Sequence, residues 1–154
     1  MRLSTRSRYG TRLMVDIALH NAGGAVRIAD VARRQGISAK YLEKLVQPLK
    51  RAQFIESRRG PGGGHSLARP LEEISVGEVV RVLEGDTALT KCAATGRRAC
   101  RSAHTCLTRR VWAEASQAMF DKLDAISLAD LVRLVKQGGD VSLGPCPAGW
   151  EREP

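Results

Sequence analysis

Long apolar runs are missing from this sequence. None approaches the roughly 20 residues that a membrane span needs, which excludes a membrane-spanning helix. The opening Met1-Arg2-Leu3-Ser4-Thr5-Arg6 also lacks the apolar centre of a secretion signal, so the chain is expected in the cytoplasm. Aromatic residues are scarce, at 4%, too few to build a stacking surface for single-stranded nucleic acid. Histidine is scarce as well. His20, His65 and His104 stand in unrelated contexts with no accompanying acid, base or nucleophile, which argues against an electron-transfer or redox enzyme, or any other. Acidic residues are in short supply in the first half only. Residues 1–70 carry 14 Lys and Arg against 4 Asp and Glu, whereas residues 71–154 carry 11 against 12. The net charge of +9 is therefore confined to one end, which points to a polyanion such as DNA, or else to a solubilising basic surface.

What remains is an ordinary globular composition, 43% hydrophobic and 27% charged over 154 residues. That is enough chain for one full-sized domain, or for a small domain with an appendage. The expected fold is mainly α. Tyr9, Leu13, Met14, Ile17 and Ala18 mark one face of a first helix from Thr5 to about Asn21. Ile28, Val31 and Ala32 mark a second, over Ile28–Gln35, and Gly36 supplies a left-handed turn after it. Ser38 caps a third helix that runs to about Ala52, with Leu42, Leu45, Val46 and Leu49 as its buried stripe. Pro48 inside that stripe should bend it. Phe54–Arg58 and His65–Ala68 read as two strands around the turn Arg59-Gly60-Pro61-Gly62-Gly63-Gly64. Two helices across a short glycine turn, followed by a hairpin, make a winged helix-turn-helix.

The remainder holds a capping box at Ser75-Val76-Gly77-Glu78 with Ile74 and Val79 as its staple. An aperiodic segment follows, from Lys91 to Cys106. Next comes a long C-terminal helix to Ala125 with Leu107, Val111, Ala115, Ala118, Met119, Leu123 and Ile126 on one face. That stripe needs a partner: a twin helix from a second subunit, its own domain, or both. A last helix starts at Ser127 and stops at Gly138-Gly139, before a Pro- and Gly-rich tail. The expected organisation is a DNA-binding domain over residues 1–70, a sensor loop with dimerisation helices over 71–137, and a flexible tail over 138–154.

The first turns of the third helix would reach base edges in a major groove. By position they carry Ser38, Lys40, Tyr41, Glu43 and Lys44. Glu43 is informative, because phosphate repels a carboxylate unless it accepts from a base; the alternative is a pairing with Lys40 or Gln47 along its own helix. Arg58 and Arg59, at the wing, suit a narrow minor groove or plain phosphate contact. The wing glycines do not form a nucleotide-binding loop, since no Gly-Lys-Ser/Thr follows and no helix begins there.

The four cysteines are Cys92, Cys100, Cys106 and Cys146, the first three spaced Cys-x7-Cys-x5-Cys. This is too wide for the paired spacing of structural zinc, and it suits an iron–sulfur cluster whose irons take thiolates singly. Lys91, Arg97, Arg98 and Arg101 would offset thiolate charge, favouring metal binding and oxidation alike. Ordinary thiols in a loop are the plain alternative. Cys146, flanked by Pro145 and Pro147, stands apart.

Several of these segments together resemble the IscR/NsrR-type winged helix-turn-helix regulators of bacteria, the Rrf2 family. They are Met1-Arg2-Leu3-Ser4, Ile28-Ala29-Asp30-Val31-Ala32, Gly36-Ile37-Ser38, Tyr41-Leu42-Glu43, Arg58 to Gly64, Val76-Gly77-Glu78-Val79 and Cys106-Leu107-Thr108. The resemblance spans about residues 1–137. It implies a cytoplasmic homodimer that binds double-stranded operator DNA, read here as a repressor, and a long dimerisation helix. In many members it implies a 2Fe–2S or 4Fe–4S cluster that senses cluster supply, nitric oxide or redox state, while other members carry none. Lys40, Glu43 and Arg59 match residues that read bases, and Cys92, Cys100 and Cys106 match the cluster ligands. The first cysteine interval is two residues longer than in the nearest relatives. The positions that supply a fourth ligand in the two branches hold Arg109 and Arg8 here, and arginine has no lone pair to offer. His104, Cys146, Asp16 or a small exogenous ligand are the remaining candidates.

Overall fold

The computed structural model describes residues 3–85, 88–90, 92–93, 105–138 and 143. Helix α1 (Thr5–His20) begins where the Ser4 hydroxyl accepts the Arg6 N–H at 3.1 Å. Tyr9, Leu13, Met14 and Ile17 are buried, as their spacing predicts. A single 3-10 turn, Asn21–Gly23, closes it. Helices α2 (Ile28–Gln35) and α3 (Ala39–Arg51) meet across Gly36, whose φ of 65° lies in the left-handed region that a Cβ disfavours. Ile37, next in the chain, is buried in the core, and the Ser38 hydroxyl accepts the Tyr41 N–H at 3.2 Å. Leu42, Leu45, Val46 and Leu49 are buried together. Helix α3 runs through Pro48 to Arg51 without a break, and nothing in the structure explains the proline.

The wing is an antiparallel pair, β1 (Ile55–Arg58) and β2 (Gly64–Leu67), in the register Ile55↔Leu67 to Arg58↔Gly64. The sequence does not announce its third participant. Val26, just before α2, exchanges two backbone hydrogen bonds of 2.8 Å with His65. The wing is thereby tied to the start of the helix-turn-helix. Gly64 sits so close to this junction that a Cβ there would lie 2.6 Å from the Val26 carbonyl oxygen.

Helix α4 (Val76–Glu84) carries the expected capping box: Ser75 Oγ accepts the Glu78 N–H at 3.1 Å, and Glu78 accepts the Ser75 N–H at 2.9 Å. Helix α6 (Leu128–Gln137) repeats the device with Ser127 and Asp130. Ile74, Val79, Leu83, Leu128 and Val132 join the same buried cluster as the side chains of α1 to α3, so α4 and α6 complete the core on which the helix-turn-helix rests.

Helix α5 (Leu107–Asp124) is different. Phe120 is its one buried residue among those described, and it lies outside the stripe expected from the sequence. Phe120 packs beneath Arg81 of α4, whose guanidinium carbon is 4.3 Å from the ring centroid. The same guanidinium holds Asp124 through two hydrogen bonds of 2.6 Å. The expected stripe is half-buried at Ala115, Met119, Leu123 and Ile126, but Leu107, Val111 and Ala118 face outward. Leu107 is 75% exposed, Val111 50% and the adjacent Trp112 44%. Helix α5 thus has one apolar side against α4 and a second that the described residues leave uncovered. Among the described residues no helix is long and apolar enough to cross a membrane.

Candidate nucleic-acid interface and cysteine site

The cap at Ser38 and the apolar stripe on the core turn the opposite side of α3 outward. Lys40, Glu43, Lys44, Gln47 and Lys50 are exposed there. Arg58 and Arg59 are exposed at the wing tip, where β1 ends. Glu43 forms no hydrogen bond or ion pair among the described residues, with Lys40 and Gln47 both within reach along its helix. The intrahelical pairing that would make it an ordinary surface residue is absent from this chain's structure. His65 lies on β2 at the base of the wing. Its Nδ1 pairs with Ser57 Oγ at 3.0 Å. Burial, helped by the charge of Lys50 and opposed by Glu43, holds its pKa below the ordinary imidazole value. Sequence reading passed over His65, because only the strand register brings it to Ser57 and Val26.

Tyr41 departs from its expected place. It is half-buried rather than displayed. Its ring meets Tyr9 edge-on at 5.9 Å, and its hydroxyl pairs with Thr5 Oγ1 at 3.1 Å. Ser38 spends its hydroxyl on the α3 cap. Lys40, Glu43, Lys44, Arg58 and Arg59 are therefore the expected site residues that this fold leaves open to a partner.

Two of the cysteines are linked to the N-terminal turns of α5. Cys106 is the residue just before the helix, and its thiol pairs with the Thr108 hydroxyl at 3.2 Å. That hydroxyl, the backbone amides of Arg109 and Thr108 and the charge of Arg109 lower the Cys106 pKa below the ordinary thiol value, against a smaller effect of burial. The other cysteine, Cys92, is exposed. Its carbonyl accepts from Arg109 Nε at 2.9 Å, and three residues earlier the Leu89 N–H bonds Ser116 Oγ at 3.0 Å. These two bonds tie Leu89 and Cys92 to α5. The Cys92 thiol itself pairs with the Thr90 hydroxyl at 3.3 Å, and thiolates are donors that soft metals and iron–sulfur clusters accept. Cys100, His104 and Cys146, like Lys91, Arg97, Arg98 and Arg101, lie outside the described residues. No group of three metal-binding side chains occurs among the described residues.

The arginines at the two fourth-ligand positions have other occupations. Arg109 bridges to Cys92, and Arg8 lies 4.7 Å over the Tyr9 ring and donates to its hydroxyl at 2.9 Å. Asp16, a candidate from the sequence, is 1% exposed. Its carboxylate is held by the Arg34 guanidinium and accepts from Gln35 Nε2 at 2.7 Å. Burial and these bonds commit it to the core, so it is withdrawn as a ligand.

Residues 3–134 match the Rrf2 family, described as an iron-dependent transcriptional regulator. The chain is 48% identical over 145 residues to Protein rrf2 of Nitratidesulfovibrio vulgaris, covering 94% of this chain and 92% of that protein. Its fold is similar to that of T. potens IscR, with a TM-score of 0.72 and 32% identity over 92% of this chain and 93% of the other. It is also similar to CymR (YrzC), the global cysteine regulator of B. subtilis, with a TM-score of 0.71, 30% identity and coverage of 87% and 98%.

Proposed function

The chain belongs to the Rrf2 family of transcriptional regulators, and on that premise we propose that it is a homodimeric repressor whose operator affinity is set by iron–sulfur or redox chemistry at its cysteine segment. Its relatives are regulators and not enzymes. Residues 1–70 carry DNA recognition in this reading. Lys40, Glu43 and Lys44 face base edges and phosphates in the major groove, and Arg58 and Arg59 reach the flanking minor groove or backbone. The exposed Leu107, Val111 and Trp112 of α5 pack against the same helix of a second subunit.

One observation carries the sensing half: Cys92 and Cys106 are tied to the same end of α5, with the Cys106 thiol held toward its anion. Cys92, Cys100 and Cys106 would hold the cluster, and Arg109 keeps the Cys92 backbone beside them. When bound, an iron–sulfur cluster supplies a centre that responds to redox state, nitric oxide and cluster supply. The protein's part is mechanical. The far end of α5 is clamped to α4 by Arg81 and Asp124, so displacement of α5 is passed to α4 and from there to the core under α3. A coupling of about 1–3 kcal/mol changes operator affinity roughly 5- to 150-fold.

The test is the visible spectrum of protein purified without oxygen, with iron and acid-labile sulfide analysis. A brown protein with matched iron and sulfide supports the proposal. Cys92→Ser, Cys100→Ser and Cys106→Ser should each lose iron while leaving a folded dimer, and a variant that keeps its full iron is not a ligand mutant. A second reading rests on the exposure of Cys92 and the acidity of Cys106: a cluster-free regulator switched by thiol oxidation or by a partner protein. A colourless, iron-free protein that still binds operator DNA and resists reconstitution selects it.

A further inference from the structure

The N-terminal end of α1 lies between two partners on opposite sides of the DNA-binding half. On one side is Glu84, the last residue of α4, from which the chain leaves toward the cysteine segment. One oxygen of its carboxylate accepts from the Ser4 N–H at 3.0 Å, the Ser4 hydroxyl at 2.8 Å and the Ser7 N–H at 3.2 Å. The Ser7 hydroxyl donates to it as well. The carboxylate thus satisfies amides that the first turn of a helix otherwise leaves open, from another helix and not from the usual local cap. On the other side is Tyr41. The Thr5 hydroxyl meets the Tyr41 hydroxyl, and the buried Tyr9 ring takes the Tyr41 ring on its edge. Tyr41 belongs to the first turn of α3, between the exposed Lys40 and Glu43.

We infer that the first turn of α1 is the seat that sets the orientation of α3, that Tyr41 acts as a positioning residue through Thr5 and Tyr9 and not as a base contact, and that Glu84 holds this seat in register with α4. The inference rests on the proposed operator binding and deepens it. It names a route, beside the direct packing of α3 on α4, by which the end of α4 nearest the cysteine segment reaches the side chains proposed to face DNA. A helix turn with a hydroxyl pair on one side and a carboxylate on the other passes a displacement on, because directional bonds join it to both α3 and α4.

The Thr5–Tyr41 bond can be removed from either end, and only one end lies on the recognition helix. That makes the test clean. Wild-type protein first selects a duplex from a random 30-base-pair library. Affinities of Thr5→Val, Tyr41→Phe and the double variant are then measured on that duplex and on a random-sequence duplex, with helix content followed by circular dichroism. The expected result is an equal loss on the selected duplex for each single variant, about threefold to tenfold for one neutral hydrogen bond, with no further loss in the double variant. Affinity for the random duplex stays within about twofold, because phosphate contacts carry it. Glu84→Gln, which keeps the shape and removes the charge, lowers selected-duplex affinity in the same sense. Loss in Tyr41→Phe without loss in Thr5→Val means that the Tyr41 hydroxyl touches DNA itself and overturns the inference. Additive losses, or no loss in any variant, overturn it too. If wild-type protein selects no duplex, operator binding itself fails and the inference falls with it, an outcome distinct from the others.

Discussion

Glu43 and Tyr41 stand two positions apart on α3 and have opposite fates. Glu43 is exposed and unpaired among the described residues, and Tyr41 is turned back onto α1. On the proposed DNA-facing side of α3 an unpaired carboxylate matters, since only a donor on the partner would compensate its repulsion from phosphate. Arg59 tests the wing. Arg59→Ala should weaken binding to a selected duplex by about tenfold, and binding to random DNA by much less, as measured by anisotropy at fixed salt. Equal losses on both would reduce Arg59 to a phosphate contact. Asp16 belongs to the core. Its carboxylate holds Arg34 and Gln35, and Gln35 in turn accepts from Arg12 Nε at 2.8 Å. Asp16→Ala leaves a guanidinium and a buried amide without their acceptor. It should cost about 3 kcal/mol in urea unfolding, at the lower end for a broken buried pair because Arg34 is partly exposed. A loss under about 1 kcal/mol would show that water replaces the carboxylate.

At the scale of elements, helix starts were the most legible feature. Ser38, Ser75 and Ser127 each cap the helix that the sequence assigns to them, because a cap is a local bond between residues two or three apart. Helix α5 was legible in extent but not in orientation. Its apolar residues cover more than one side, and periodicity alone does not say which side meets α4. Phe120 decides that, and the bidentate Arg81–Asp124 pair fixes the angle. The uncovered side gives a prediction. Val111→Arg should convert a dimer to a monomer in sedimentation, with helix content kept, since the residue is half exposed and touches no core in one chain. A dimer of unchanged mass and stability would place the subunit contact elsewhere. The wing was legible as a hairpin, but its bridge to Val26 was not, because a single pair of backbone bonds leaves no pattern in side chains.

For the whole molecule, one core joins the helix-turn-helix to α4 and α6, and the polar contacts around it are tuned to near-neutral pH. Glu78 is held below the ordinary value of 4.5 by the Ser75 amide, against burial and with help from Arg69. Burial pushes Glu84 up, but the Ser7 and Ser4 donors outweigh it and hold it below 4.5. Asp124 is held below 3.8 by Arg81. Each of these carboxyls binds its proton more weakly when folded, so each stabilises the fold above its unfolded pKa and ceases to as pH falls through the folded one. His65 follows the same sign from a higher start, its folded pKa lying below 6.5. Stability should therefore decline gently below about pH 6.5 and steeply below about pH 4.5 in urea midpoints, and His65→Gln should remove the gentle part. A profile flat from pH 7 to pH 3 would contradict this account.

The sequence by itself determined whatever depends on neighbours along the chain. It set the helix limits at their caps, the glycine turn before α3, the hairpin, the basic half and the cysteine spacing. These follow from local hydrogen bonding, steric limits on φ and hydrophobic period, all of which act over a few residues. Only the tertiary structure decided which of the exposed-looking residues are exposed. It turned Tyr41 onto Thr5 and Tyr9, buried Asp16 under Arg34, brought Val26 to His65, and set Glu84 against the first turn of α1. Ser4 and Glu84 lie 80 residues apart, and no local rule relates them. Their contact exists because α1 and α4 must pack to close one core, and the polar groups at the helix ends then have to be satisfied where that packing leaves them.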